Sequence, residues 1–321
     1  MDDASQGRTR AWIVYERDRA RVNGAFIDLL ARSLVARGID AELRFAEDLM
    51  AAFGQDDRDL SRTRTAVPPL AVMRCAVSGL HRRLERAGAI CLNGSRLNGI
   101  ANDKARSYAL ASEAGEPLLP YRDLGIVTDG LVAAVRDGLA LLPAVECIVI
   151  KPVDGHGGAG VRLARDTREA ADALAGLVGR RALAQRAASH LGSDVRIYVN
   201  DGAVLAAMRR RSSTDFRSNY CLGGEAEPFD LPEGVRARAE FLASRLGSGF
   251  YGIDFLFDDG FPDGMVFNEF EDPVGCRMLY AQTDIDPAEI IAANAVRALQ
   301  AALKETPHAS TGTQLDLEDG R

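Results

Sequence analysis

Two apolar runs, CIVIKP at 147–152 and VRLA at 161–164, enclose the loop VDGHGGAG, and this strand–glycine–strand order constrains the chain more than any other feature. Gly155, Gly157 and Gly160 satisfy the spacing G-x-G-x-x-G. That spacing marks a dinucleotide site only where a helix follows the loop, because the helix N-terminus holds the pyrophosphate. Here a strand follows, so the glycines join two strands in a hairpin and a nicotinamide dehydrogenase becomes a distant reading. The Walker pattern fails as well, since no Gly-Lys-Ser/Thr closes the loop. A glycine hairpin still has a use: its bare backbone N–H groups can fold over phosphate oxygens. Lys151, at the end of the leading strand, offers an ammonium to the same anion. A flexible surface hairpin with a solvated lysine is the plain alternative. Lys104, in Asn102-Asp103-Lys104, reads by itself as a surface lysine.

A second segment, YGIDFLFDDGFPDGMVFNEFEDP at 251–273, reads as two apolar strands around a turn rich in Asp, Gly and Pro. Asp254 lies on the first strand, Glu269 and Glu271 on the second. Residues two apart in a strand share a face, so the two glutamates point the same way. With the turn centred near Phe261, Asp254 is expected opposite the neighbourhood of Asn268 and Glu269. Carboxylates grouped in this way repel unless a cation sits between them. Oxygen-only ligands suit magnesium or manganese, the ions that accompany nucleotide phosphates. The plainer reading leaves one or more of these acids at the sheet edge in water. Between the two segments, Arg209, Arg210, Arg211 and Arg217 lie near Gly223-Gly224. Arginine forks suit phosphate and carboxylate alike, although such a run is ordinarily a solvated face.

The remaining pattern sets the fold class, α/β with α+β mixed in. Strand-length runs at 11–15, 39–45, 70–75 and 89–92 alternate with helical spacing at 24–37 and 77–87, which implies a parallel sheet with right-handed crossovers. Residues 55–65 read as a solvated loop. Helices are expected at 100–114, 130–141, 167–177, 231–246 and 287–303, and further strands at 195–199 and 204–209. This divides the chain into 1–95, 96–182 with the glycine loop, 183–305 with the acids, and a polar tail at 306–321 expected to be disordered.

Charge and cysteine usage narrow the partners. A net charge of −7 argues against nucleic acid or an anionic membrane as the main partner. No apolar run nears the ~18 residues of a membrane span, and MDDASQGRTR lacks the layout of a secretory signal. Five scattered cysteines, none spaced C-x-x-C, fit a reducing cytosol and give no zinc cluster. The four histidines have no H-E-x-x-H spacing. A cytoplasmic location is expected.

Taken together, the segments resemble the ATP-grasp superfamily and, within it, the RimK-like branch of carboxylate–amine ligases. The resemblance rests on NDK (102–104), VIKPVDGHGGAGV (149–161), GSDVRIYV (192–199), DFRSN (215–219), GG (223–224), GID (252–254) and NEFE (268–271), in the family's order. It implies an ATP-grasp fold behind an N-terminal pre-ATP-grasp domain built on a parallel sheet. It also implies that Lys104 and Lys151 contact the phosphates of ATP under a loop containing Gly157 and Gly158. Gln185 and Arg186 would occupy the hinge whose backbone reads adenine, and Asp194 would face the ribose. Arg217, Ser218 and Asn219 would meet the triphosphate end, with Lys151, Arg217 and Asn219 as catalytic groups. Asp254, Glu269 and Glu271 would hold two magnesium ions (Mg2+), with Mn2+ as the alternative.

The chain departs from the family pattern in three places. The hinge reads Gln185-Arg186-Ala187-Ala188 where a glutamate and an aromatic are common. Glu271 stands where Asn is usual, which makes the site more negative. Residues 272–280 replace the usual small, Ser- and Gly-containing segment beside the acceptor site, which points to an unusual substrate. The resemblance implies that a substrate carboxylate attacks the γ-phosphate of ATP and that an amine then displaces phosphate from the acyl phosphate. The partners would be a small-molecule or peptide carboxylate and an amine. A homo-oligomer is compatible with this, since dimers and tetramers are common among such relatives. The rival readings are an ATP-grasp phosphotransferase and a nucleotide-binding regulatory protein without turnover.

Overall fold

Apolar strands with helical connections build a parallel sheet at the N-terminus. Strands β1 (Thr9–Tyr15), β2 (Ile39–Phe45), β3 (Leu70–Met73) and β4 (Ile90–Leu92) pair in the order β2-β1-β3-β4. β3 is buried along its whole length, as a strand covered on both faces must be. The computed structural model describes residues 8–53, 67–77, 79–142, 145, 147–218 and 224–305. The expected loop at 55–65, the tail from 306 and Asn219 lie outside the described residues. Helices α1 (Arg17–Val22), α2 (Gly24–Val35), α3 (Ala46–Phe53) and α4 (Leu80–Arg86) connect and flank the sheet. α1 has no apolar stripe by which to be recognised; it buries Ala20 alone.

The sequence pattern predicts one helix over 100–114, and the structure has two, α5 (Ser95–Ala101) and α6 (Lys104–Glu113). Asp103 causes the break. Its backbone is extended (φ −132°, ψ 105°), and its carboxylate accepts from the Arg106 N–H at 3.0 Å, which caps a new helix at Lys104. The Lys104 N–H donates to the Val153 carbonyl at 3.0 Å, so the new helix is tied to the glycine loop.

Strands β5 (Tyr121–Ile126), β6 (Ile148–Pro152), β7 (Arg162–Ala164) and β8 (Arg181–Arg186) form an antiparallel sheet in the order β5-β8-β6-β7. The β6–β7 hairpin around the glycines matches the sequence expectation, with Ile148 opposite Ala164 and Ile150 opposite Arg162. β5 and β8 were not expected. The first is mostly polar and carries Gly125 in the left-handed region, and the second (RALAQR) lacks β-branched residues. Helices α7 (Asp129–Arg136) and α8 (Thr167–Ala175) share a core with this sheet.

The third sheet is antiparallel and five-stranded. β9 (Ser193–Asn200), β10 (Ala203–Arg211), β11 (Glu225–Pro228), β12 (Phe250–Phe257) and β13 (Met265–Glu271) run in the order β11-β10-β9-β12-β13. Asp254 pairs with Glu269 and Gly252 with Glu271, as the turn between the strands requires. The next pair is Phe255 with Phe267, so Asn268 is an extra residue in a bulge. Helix α9 (Glu233–Leu246) packs its apolar face on this sheet. The chain ends in α10 (Arg277–Gln282) and α11 (Pro287–Glu305); α11 shares a core with α2 and the parallel sheet.

Candidate active site

One cavity, walled by the second and third sheets, gathers most of the residues singled out from the sequence. Lys104, Lys151, Gly157, Gly158, Gln185, Arg186, Asp194, Arg217, Ser218, Glu269 and Glu271 all line it. β6 and the start of α6 bring the two lysines in from one side, and β13 brings the glutamates from the other. Lys104 Nζ lies 3.1 Å from Glu269 Oε2 and donates to the Gly155 carbonyl at 2.5 Å. Lys151 is buried and donates to the Tyr108 hydroxyl at 2.6 Å and to Asn268 Oδ1 at 3.1 Å. The bulge at Asn268 interrupts the in-out alternation, so Asn268 and Glu269 both reach the cavity. Burial pulls the Lys151 ammonium down to about 7; Glu269 opposes that shift and Lys104 adds to it. Burial raises the Glu269 carboxyl, but Lys104 and Lys151 outweigh it and hold the group below its ordinary range.

The three acids lie together, with Arg196 between Asp254 and Glu271. Asp254 is fully buried, and both its oxygens are taken by guanidinium groups. Arg196 donates to it from Nε at 2.8 Å and from Nη2 at 2.6 Å, and Arg210 donates at 2.7 Å. Burial works against the Asp254 carboxylate, yet Arg196 and Arg210 prevail and keep it ionised below the usual range. Glu271 meets Arg196 at 3.5 Å through one oxygen. Burial raises the Glu271 carboxyl; Arg196 opposes this, while Glu269 and Asp254 add to it. Among the described residues, no group of three or more His, Cys, Asp or Glu side chains is arranged to hold a metal ion. In this structure Asp254 is a counterion to Arg196 and Arg210. Asp194 also lines the cavity, and Arg210 binds both its oxygens at 2.6 Å.

The glycine loop is held from across the cavity. Gly157 and Gly158 both have positive φ (59° and 76°), which lets the hairpin fold back on itself. Arg217 donates to the Gly158 carbonyl at 2.7 Å while Asp215 fixes the rest of its guanidinium at 2.6 and 2.9 Å. Ser218 is buried beside it. At the hinge, Arg186 is turned toward Asp258 at 2.9 Å, and Gln185 is buried with its Nε2 unpartnered among the described residues. The run at 209–211 does not act as a unit. Arg210 points inward, Arg209 lies over the Phe257 ring at 4.8 Å, and Arg211 pairs with Glu227 at 3.4 Å. That split follows the two-residue period of a strand.

The geometry places a phosphate-type loop and two lysines opposite strand carboxylates. A model of the RimK-like ATP-grasp domain matches residues 101–294. The chain belongs to that family. A probable alpha-L-glutamate ligase from Maridesulfovibrio salexigens is 34% identical over 220 residues, 67% of this chain and 68% of the relative. Another, probable alpha-L-glutamate ligase 2 from Shewanella frigidimarina, is 29% identical over 242 residues, 73% of this chain and 77% of its own. Among solved structures, the D-cycloserine synthetase DcsG superposes with a TM-score of 0.67 at 20% identity, covering 92% of this chain and 99% of that one. The D-alanine–D-alanine ligase of Bacillus anthracis, complexed with ATP, gives 0.66 at 15% identity over 93% and 100%. The expected fold class, an ATP-grasp body behind a parallel N-terminal sheet, is thereby met.

Within this RimK-like site, four contributors escaped the sequence reading: Tyr108, Arg196, Asn268 and the inward role of Arg210. Asp194 and Arg196 are two apart and so share a strand face, which was the available signal for a buried charge pair. Nothing local marks Asn268 as a bulge.

Proposed function

We infer that this chain activates a carboxylate with ATP and passes the acyl group to an amine, forming an amide. The observation that carries the reading is the Lys104–Glu269 contact at 3.1 Å under a glycine loop pinned by Arg217, since it sets phosphate-binding cations against metal-type acids in one cavity. Lys104, Lys151 and Arg217 would take the negative charge of the triphosphate. The unpartnered Gln185 Nε2 supports a base or another polar ring at the hinge end. Glu269 and Glu271 fit magnesium by donor chemistry: they are hard oxygen ligands on one strand face, each engaging a cation through one oxygen. Magnesium held there would neutralise the transferring phosphoryl group. Two ions, replaceable by manganese, are the proposed number.

A substrate carboxylate oxygen bonds to the γ-phosphorus, and the bond to the bridging oxygen of ADP breaks. The cationic side chains stabilise the charge that develops on the phosphoryl oxygens, and they are already in place, so little reorganisation is needed. An amine then attacks the acyl carbon, and phosphate leaves. We also propose a cytoplasmic location, supported by the free thiols of Cys75, Cys91, Cys147 and Cys276. Among the described residues, no helix is long and apolar enough to cross a membrane.

The test is ADP and phosphate release with magnesium across a panel of carboxylate–amine pairs. Release that requires both acid and amine, with an amide in the products, supports the ligase. A phosphorylated product without an amide would make it a phosphotransferase. No ADP across the panel would leave a binding protein.

A further inference from the structure

Helix α6 reaches β6 and the glycine loop with two side chains one turn apart. Lys104 opens the helix and Tyr108 follows four residues later, which puts both on one face. That face holds the hairpin at three points. The Lys104 N–H donates to the Val153 carbonyl at 3.0 Å, Lys104 Nζ donates to the Gly155 carbonyl at 2.5 Å, and the Tyr108 hydroxyl accepts from Lys151 Nζ at 2.6 Å. Tyr108 is fully buried in an apolar core with Leu183, Phe255 and Phe267. Its ring meets Tyr121 edge on at 4.7 Å and Phe267 at 6.3 Å, so β5 and β13 fix where the hydroxyl sits. A phenylalanine would fill the same space, and a hydroxyl taken out of water is costly unless it is bonded. The oxygen therefore has its use in the bond to Lys151. Gln185 and Glu269 act on the hydroxyl from further off.

The Lys151 ammonium has three hydrogens to give. One goes to the Tyr108 hydroxyl and one to Asn268 Oδ1 at 3.1 Å, which leaves one for an anion in the cavity that Lys151 lines. Both acceptors are neutral. A carboxylate in their place would compete with phosphate for the charge, whereas a hydroxyl directs the ammonium and leaves its charge unspent. The lysine stem has many rotamers, and fixing the ammonium before a ligand arrives removes part of the ordering cost of binding.

We propose that Tyr108 is a positioning residue: its hydroxyl aims the Lys151 ammonium at the phosphates of the nucleotide without neutralising it, and α6 thereby sets both lysines of the site. The proposal rests on the reading of this cavity as an ATP site.

The test is calorimetric titration with magnesium and a non-hydrolysable ATP analogue of four full chains: the unaltered protein, Tyr108→Phe, Lys151→Met and the double variant. Tyr108→Phe keeps the ring and removes only the oxygen, and it should weaken binding about tenfold. Lys151→Met should weaken binding at least as much. Adding Tyr108→Phe to Lys151→Met should then change the affinity by less than twofold, because no ammonium is left to aim. A hydroxyl that only supports the fold would cost the same factor in both backgrounds, and that result overturns the proposal, as does unchanged binding in Tyr108→Phe. Should a variant fail to fold or bind too weakly to measure, a crystal structure of the unaltered chain with the analogue decides. Lys151 Nζ within hydrogen-bond reach of both the Tyr108 hydroxyl and a phosphate oxygen supports the proposal, and Nζ away from either overturns it. Failure of the unaltered chain to bind the analogue would sink the ATP reading and this proposal with it, whereas binding that is indifferent to Tyr108 sinks this proposal alone.

Discussion

Asp254 and Arg196 face each other across β12 and β9, and the guanidinium clasps the carboxylate at 2.8 and 2.6 Å. Arg210 bridges the same carboxylate to Asp194, and Arg196 continues to Glu271, so negative and positive groups alternate through the floor of the site. Removing one member of a buried charge set leaves its partners uncompensated. Asp254→Asn is therefore expected to lower the unfolding free energy by about 3 kcal/mol. Urea denaturation measures this, and a loss under about 1 kcal/mol would mean that the guanidinium groups find other partners.

Glu269 carries the opposite balance of effects. Its side chain is 22% exposed but faces the buried Lys104 at 3.1 Å, so Glu269→Gln should lower the melting temperature, though by less than Asp254→Asn does. The same change removes a carboxylate oxygen and a charge where the proposed phosphoryl transfer would take place. Magnesium-dependent ADP formation is expected to fall by roughly 100-fold or more. Unaltered turnover in this variant would sink the assignment of Glu269 to the metal.

How far these residues could be read from the sequence depends on the range of the interactions that place them. The Asp254–Glu269 register was legible because a short turn and a two-residue period fix a hairpin locally. The glycine hairpin was legible for the same reason. Lys104 was legible only through the family resemblance, because its position depends on Asp103 capping a second helix inside what looks like one apolar period. The counterions of Asp254 were least legible. Nothing near it in sequence says that β9, some 60 residues earlier, lies alongside and carries Arg196. Charge clusters seen in one dimension do not reveal which counterions the sheet order will supply.

Lys151 should make nucleotide binding proton-linked. Its ammonium titrates near 7 in the fold because burial disfavours the charge, against an ordinary value of 10.5. The unfolded chain thus holds a proton between about pH 7 and 10.5 that the folded chain does not, so nucleotide-free stability should rise with pH across that window. The cost of burying the charge is fully present below about pH 7. A polyphosphate beside Nζ would raise the value again, so ATP binding at pH 8 should take up close to one proton. Titration calorimetry in buffers of differing ionisation enthalpy reads that uptake, and Lys151→Met should abolish it.

Arg217 joins the loop after β10 to the glycine hairpin through one hydrogen bond to Gly158 at 2.7 Å. Arg217→Ala removes that tie together with the charge proposed to face the phosphates. The Michaelis constant for ATP is expected to rise by roughly tenfold, from a charge-assisted bond lost in binding. Limited proteolysis should cut at 155–160 sooner than in the unaltered chain. Equal cutting rates would show that the hairpin holds its shape without Arg217.

Gly252 tests how finely Glu271 is set. It lies opposite Glu271 in the β12–β13 ladder, and a Cβ there would sit 3.0 Å from Val274 Cγ2, 3.3 Å from Glu271 Cβ and 3.5 Å from Arg196 Cδ. The backbone is not in the left-handed region, so the cost of Gly252→Ala is crowding rather than strain of its own conformation. Overpacking of this kind costs about 1–3 kcal/mol, and the atoms that must give way belong to Val274 and Glu271. The variant should fold with reduced stability and need several-fold more magnesium for half-maximal ADP formation. If only stability fell and the magnesium requirement stayed the same, Val274 alone would have moved, and Glu271 would owe its position to Arg196 rather than to the bare backbone opposite it.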